Sequence, residues 1–375
     1  MSRMRVAPQR QSFSAPLELT SGATLPEFTI AYESYGRLNA DASNAILVCH
    51  GLTGDAHAAG RRNAADPKPG WWDAVIGPGR MLDTGEYFVV CSNVLGGCDG
   101  STGPASIDPG SGRPYGASFP VLTIADMVAA QRRLIDDLGI SRLHAVIGGC
   151  MGGFQVYEWA RTYPERVGRA IAISATAQTS AHTLALWRVL RNAIVDDPSY
   201  NGGDYYRSGA PLAGMARGMA MATLIWMDRA MWEDKFGRAL ADREAYSYSL
   251  ATDFAAERFL EQVEASVSAR FDPNSLLFLT RAMDYFDLER GYPDLSAALA
   301  AVSCEVLLIS YRRDWRYPPA DVDLVRRALT ANGGDVEHCI LNSRVGHGAF
   351  IYDPASLVPV VQRFLTTPRF LRAIL

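Results

Sequence analysis

At 375 residues the chain exceeds one average domain and suits a single large α/β unit carrying an insertion. With 48% hydrophobic and 20% charged residues it has the balance of an ordinary globular protein that buries a large core, so disorder is not expected away from the ends. Lys plus Arg total 36 against 40 acids, a net charge of -4, which supplies no basic field for a nucleic-acid backbone.

The first 140 residues contain short apolar strand-like runs, such as Ala45 to Val48 and Tyr87 to Cys91, between glycine- and proline-rich turns. Leu122 to Leu138 then places apolar residues at helical intervals, Leu143 to Ile147 reads as a buried strand, and Phe154 to Tyr163 as a second helix. From about Thr179 to Ala298 the texture changes to helical patterns rich in Ala, Met, Leu, Arg and Glu. Strand signals return at Glu305 to Ser310 and Glu337 to Leu341, and Pro354 to Leu365 reads as a closing helix. The expected architecture is a mostly parallel sheet flanked by helices, with a helical insertion that caps it as a lid. The expected division is core 1–178, lid 179–298 and core again 299–375.

The six cysteines are scattered, with no C-x-x-C pair and no ligand-type spacing to His, so neither a zinc site nor a disulfide framework is expected. Met1 to Ser14 is polar and lacks the apolar stretch of a secretory signal. No run approaches the roughly 20 apolar residues that span a bilayer. A cytoplasmic protein is the expectation.

Chemistry concentrates in three places. The run Gly148-Gly-Cys150-Met-Gly-Gly153 has the form G-x-nucleophile-x-G between a buried strand and a helix. A strand that reverses sharply into a helix needs tiny neighbours where chain segments approach, and it leaves its turn residue at a helix N-terminus, where the dipole favours thiolate. A lone cysteine is ordinarily a small buried hydrophobe, but such a residue has no need of four glycines around it. Asp314 follows the strand ending at Ser310, and His347 lies in the glycine-flanked run Val345-Gly-His347-Gly. Alone, Asp314 would read as a surface acid pairing with Arg312 or Arg313, and His347 as an exposed loop histidine. Their joint order after Cys150 is that of nucleophile, acid and base in hydrolase-fold triads. The N–H of Met151 and that of Leu52, in the loop after the Ala45 to Val48 strand, are the expected oxyanion donors. His57 reads as structural or substrate-facing, and Trp71, Trp72 and the Met215 to Met227 stretch as packing. Asp272, Asn274 and Asp287 read as loop and cap residues.

These motifs resemble the homoserine O-acetyltransferase family over nearly the whole chain. The similar segments include Ala31 to Gly36, Asn44 to Thr53, Pro69 to Asp73, Asn93 to Pro104, Gly148 to Gly153, Arg270 to Ser275 and Ala282 to Asp287. The resemblance implies an α/β-hydrolase fold with a helical lid, acyl-CoA as donor, a covalent acyl-enzyme in a ping-pong reaction, a hydroxyl acceptor, and homodimers paired through their lids. It places the substrate carboxylate on Arg217. The chain departs from the family in three ways. Its nucleophile is Cys150 where the family has serine, Gly348 stands where an acid follows the catalytic histidine, and Leu224 stands where an aromatic follows the arginine by seven residues. The last two remove partners of an ammonium group, which weighs against homoserine itself. Other readings are an acyl or aminoacyl shuttle between carrier-protein thiols, an esterase or thioesterase, and a catalytically idle binding protein.

Overall fold

The computed structural model describes residues 4–63, 65–66, 68–210, 212–267 and 271–367. Eight strands form its principal sheet: β1 (Gln9–Phe13), β2 (Phe28–Tyr35), β3 (Ala45–Cys49), β4 (Phe88–Ser92), β5 (Ala145–Gly149), β6 (Arg169–Ile173), β7 (Glu305–Tyr311) and β8 (Val336–Leu341). Their order across the sheet is β1-β2-β4-β3-β5-β6-β7-β8. Pairing is antiparallel from β1 to β2 and from β2 to β4, and parallel everywhere else. β3 and β5 are buried along their full length, as parallel strands covered on both faces must be. The chain has the α/β-hydrolase fold.

Two helices cover the central strands. α1 (Ile124–Asp137) begins with a reciprocal cap, in which the Thr123 hydroxyl accepts from the Asp126 N–H and the Asp126 carboxylate accepts from the Thr123 N–H. α2 (Met151–Thr162) starts one residue after Cys150, earlier than its apolar periodicity indicates. The reason is that Gly152 and Gly153 carry no side chain to register a period, although both lie in the first turn.

Between β6 and β7 the described residues carry only helices, turns and single-residue bridges. The helices are α3 (Ala181–Val195), α4 (Leu212–Trp226), α5 (Arg229–Lys235), α6 (Ala255–Val267), α7 (Pro273–Asp284) and α8 (Leu295–Ala298). The stretch leaves and rejoins the sheet at one place: Leu288 N–H donates to the Ala177 carbonyl at 2.9 Å, and the Thr179 hydroxyl donates to the Met283 carbonyl at 2.6 Å. Asp272 caps α7 by accepting from the Ser275 N–H, and the Asn274 amide, buried, donates to the Gly203 carbonyl at 2.9 Å. Asp287 accepts from the Glu289 N–H.

After β7 come α9 (Pro319–Ala331) and, beyond β8, α10 (Ala349–Tyr352) and α11 (Val358–Thr366). The expected single helix from Pro354 is a short 3-10 turn, Pro354–Leu357, followed by α11. Among the described residues no helix is long and apolar enough to cross a membrane, and no three His, Cys, Asp or Glu side chains converge as metal ligands would.

Candidate active site

Cys150, Asp314, His347 and Leu52 all follow parallel strands β5, β7, β8 and β3 at their carboxyl ends, the edge where open α/β sheets bind ligands. The turn at Cys150 is strained: its φ is 60° and its ψ -124°, a region that side chains rarely enter. The surrounding glycines make the turn possible. A Cβ on Gly152 would lie 2.0 Å from the Cys49 carbonyl oxygen, one on Gly148 would lie 2.6 Å from the Gly152 oxygen, and one on Gly153 would lie 2.4 Å from the Ala175 side chain. Backbone from β3, β5 and α2 thus crosses where no side chain fits.

His347 is fully buried, and its Nδ1–H donates to Asp314 Oδ2 at 2.9 Å. Asp314 is buried too, and its other oxygen accepts from the backbone N–H groups of Arg316 at 3.1 Å and Tyr317 at 2.9 Å. Neither Arg312 nor Arg313 is its partner: Arg312 bonds Asn342, and Arg313 faces Asp228. Rings of Tyr317, Trp226 and Phe350 surround the imidazole at 5.1, 6.0 and 6.1 Å between centroids. The free nitrogen, Nε2, is buried and makes no well-aligned hydrogen bond. It is nonetheless near enough to the Cys150 thiol for each group to shift the other, and such contacts commonly tighten only when substrate arrives.

The electrostatics favour a thiolate beside an imidazolium. Burial, the largest influence on Cys150, pushes the thiol up, but Arg316 and then His347 outweigh it and bring it down to about 7. Burial also disfavours a charged His347, but Asp314 and then Cys150 outweigh that and hold the imidazole up to about 9. Burial raises the Asp314 carboxyl, yet His347 beside it and the Tyr317 N–H keep it below the usual carboxylate range.

The Met151 N–H points at the Cys150 sulfur and lowers its pKa. The loop after β3 passes close by, since a Cβ on Gly51 would lie 3.7 Å from the Cys150 Cβ. His50 pins that loop: its ring accepts from the Val94 N–H at 3.1 Å and bonds the Gly51 carbonyl at 2.8 Å. Among the described residues the Leu52 N–H has no hydrogen-bond acceptor.

Arg217, Leu224 and Gly348 are arranged differently. Arg217 and Leu224 lie seven residues apart on one face of α4; Arg217 is exposed and Leu224 is 48% exposed. The residue that α4 presents to His347 is Trp226, about 160–180° around the helix from both. Gly348 is buried, and a Cβ there would meet Trp226 and Tyr352 at 3.1 Å each. His57, half-buried, bonds the buried Glu33 at 2.9 Å, and Glu33 also binds Arg62 at 2.7 Å. Trp72 is core, its indole N–H donating to the Phe350 carbonyl at 2.7 Å.

One residue of the site escapes sequence reasoning. Arg316, in the basic run from Arg312, reads as a surface charge, yet it is 3% exposed and stacks on Trp187 at 4.6 Å and on Tyr317 at 4.9 Å. The aromatics that flank it in sequence, Trp315 and Tyr317, are the only available hint.

The model of the alpha/beta hydrolase fold family matches residues 44–317. A homoserine O-acetyltransferase of Methanosphaerula palustris is 50% identical over 354 residues, covering 94% of this chain and 72% of that protein. One from Geobacter sulfurreducens is 44% identical over 360 residues, covering 96% and 97%. Among solved structures, a homoserine O-acetyltransferase from Bacillus anthracis superposes with a TM-score of 0.91 at 31% identity, over 97% of this chain and 98% of that one. Esterase E22 superposes with a TM-score of 0.88 at 30% identity, over 96% and 100%. With its sequence matched over 94–96% of its length at 44–50% identity and its fold superposing on that of a solved member, the chain belongs to the homoserine O-acetyltransferase family of the α/β-hydrolase fold.

Proposed function

We propose that this protein is an acyltransferase that carries an acyl group from acyl-CoA through a thioester on Cys150 to a small hydroxylated acceptor. The observation that carries the reading is the strained Cys150 turn beside a fully buried His347–Asp314 pair. A retired site has no physical need for either. Acetyl-CoA is the first donor to test, since the named relatives are acetyltransferases.

The reaction begins with the ion pair. The Cys150 thiolate attacks the thioester carbonyl carbon, and the oxygen that becomes negative accepts from the Met151 and Leu52 N–H groups. As the carbon–sulfur bond to CoA breaks, the departing thiolate takes the proton from the His347 imidazolium. The acyl-enzyme then holds no charge on Cys150, so His347 loses one of the groups that kept it protonated and stands neutral. It can now accept the proton of the acceptor hydroxyl, whose oxygen attacks the acyl carbon. Breaking the bond to Cys150 restores thiolate and imidazolium. Asp314 holds the ring in the tautomer that both steps need.

Homoserine is the reference acceptor by the relatives' names, but the two positions that the family resemblance assigns to its ammonium are Leu224 and Gly348 here. Gly348 has no carboxylate, a side chain there would need the Trp226 and Tyr352 rings to give, and the face bearing Arg217 and Leu224 turns away from His347. Acceptors without an ammonium group are therefore expected to surpass homoserine in kcat/KM. The decisive experiment is intact-protein mass measurement after mixing with acetyl-CoA: an acyl adduct is expected on the native chain and not on Cys150→Ala. A stable adduct on the alanine variant defeats the mechanism. Pairing into homodimers through the helical segment belongs to the same reading, and sedimentation velocity giving a monomer would remove it.

The likeness to esterase E22 favours one second reading, in which water takes the acyl group. Free acid released at full rate with no acceptor present would select it.

A further inference from the structure

Arg316 is a buried cation without a full set of partners. Its Nε and Nη2 make no hydrogen bond among the described residues. Around it, the Trp187 indole N–H is likewise buried and unbonded, and the Tyr317 hydroxyl, also buried, lies against the guanidinium without a well-aligned hydrogen bond. The cluster therefore holds an excess of donors: an arginine and an indole nitrogen can only give hydrogen bonds, and a phenol gives one readily. The nearest carboxylate, Asp314, has both oxygens committed, one to His347 and one to two backbone N–H groups. Arg191, one helical turn beyond Trp187 on α3, differs in this respect, since Asp284 meets its charge at 2.7 Å. The Cys150 thiolate and Asp314 face its charge, but stacking on two rings supplies no hydrogen-bond acceptor for the two unbonded nitrogens of the fork. The ring of Tyr317, on which Arg316 stacks, is in turn 5.1 Å from the His347 ring, so the unmet donors border the reacting atoms.

We propose that Arg316, with Trp187 and Tyr317, forms a carboxylate-binding subsite beside Cys150, so that one of the two reactants carries an acid group: a dicarboxylic acyl chain on the donor, or an acid-bearing acceptor alcohol. A carboxylate supplies two oxygens for the guanidinium fork. The inference rests on the proposed acyl transfer for the identity of the reactants, but the subsite can be read without that reaction.

Two alkylating reagents of similar size make the test. Iodoacetate carries a carboxylate and iodoacetamide does not, so the ratio of their rates at Cys150 reports anion recognition, while any loss of thiol activation cancels. Arg316→Met should lower that ratio about 10- to 100-fold, and Arg316→Lys, which keeps the charge but not the fork, by less. The lysine variant also guards against misfolding of the methionine one. Rates of acyl adduct formation with succinyl-CoA and acetyl-CoA then locate the acid. A succinyl preference that Arg316→Met abolishes puts it on the donor. An unaltered donor ratio, with a lost preference for an acceptor acid over its amide, puts it on the acceptor. If all these ratios in Arg316→Met stay within about twofold of the native values, however slow the absolute rates, the subsite does not exist and Arg316 only steadies the thiolate. Should neither thioester label Cys150 while the iodoacetate preference depends on Arg316, the subsite stands and the acyl-transfer reading falls.

Discussion

Replacing Asp314 with asparagine isolates the electrostatic part of the site from its shape. The side chains have nearly the same outline, and the two backbone donors, Arg316 N–H and Tyr317 N–H, fix which way the new amide points. Its oxygen must receive those two hydrogen bonds, so its NH2 group is left facing His347 Nδ1. A donor there forces the ring into the tautomer that carries its proton on Nε2, the nitrogen that must accept one. It also removes the negative charge that does most to hold His347 protonated. His347 falls in pKa, its positive charge is lost, and the Cys150 thiol, which that charge helps to hold down, rises. Taking one partner from a buried charge pair costs about 3–5 kcal/mol. At about 1.4 kcal/mol for each factor of ten, transfer should slow by about 10² to 10⁴. The assay is CoA release with acceptor present, together with iodoacetamide alkylation of Cys150 across pH to read the thiol directly. An asparagine variant that turns over within tenfold of the native enzyme, with its alkylation profile unmoved, would refute the assignment of Asp314 and the electrostatic argument with it.

In the native protein, alkylation of Cys150 by a neutral reagent should increase through about pH 7, because the lowered thiol pKa populates thiolate above that point. In His347→Ala the rise should move to higher pH, and a profile shared by both proteins would mean that the imidazole does not act on the sulfur. Gly152→Ala puts a methyl group 2.0 Å from the Cys49 carbonyl oxygen, a backbone atom between two buried strands, and should destabilise the fold by about 3 kcal/mol or more. A urea midpoint equal to that of the native chain would show that the crossing at the elbow is looser than described.

The parts of the site that could be read from sequence are those whose physics is local. Four glycines around Cys150 announce a turn where backbones cross, and strand-loop settings place Asp314 and His347 in the right order on the right edge. The runs from Ala45, Tyr87 and Leu143 are legible as strands, whereas β1, β2 and β6 are not read from sequence; Arg169–Ile173 is five residues of mixed size with no periodic pattern. α4 was harder still: the run from Leu212 to Trp226 is apolar or small nearly all round, so its composition does not tell which face meets the turn that carries His347. That ambiguity hides the fact that Trp226, rather than Arg217 or Leu224, lies against His347. Arg316 illustrates a different limit. Its burial depends on an aromatic ring far away in sequence, Trp187, as well as on its neighbour Tyr317, and the adjacent aromatics alone do not tell that the charge is buried.

The order in which these groups occur along the chain bears on how the enzyme is born. The elbow at Cys150 is built within one strand-turn-helix unit, whereas Arg316 and His347, the two groups that draw the thiol downward, follow much later. Until those later strands are made, the two side chains that do most to bring the thiol down to about 7 are missing, and only the Met151 N–H of the elbow itself acts in that direction. The order of synthesis therefore holds back full activation of the cysteine until the later strands dock beside the first ones.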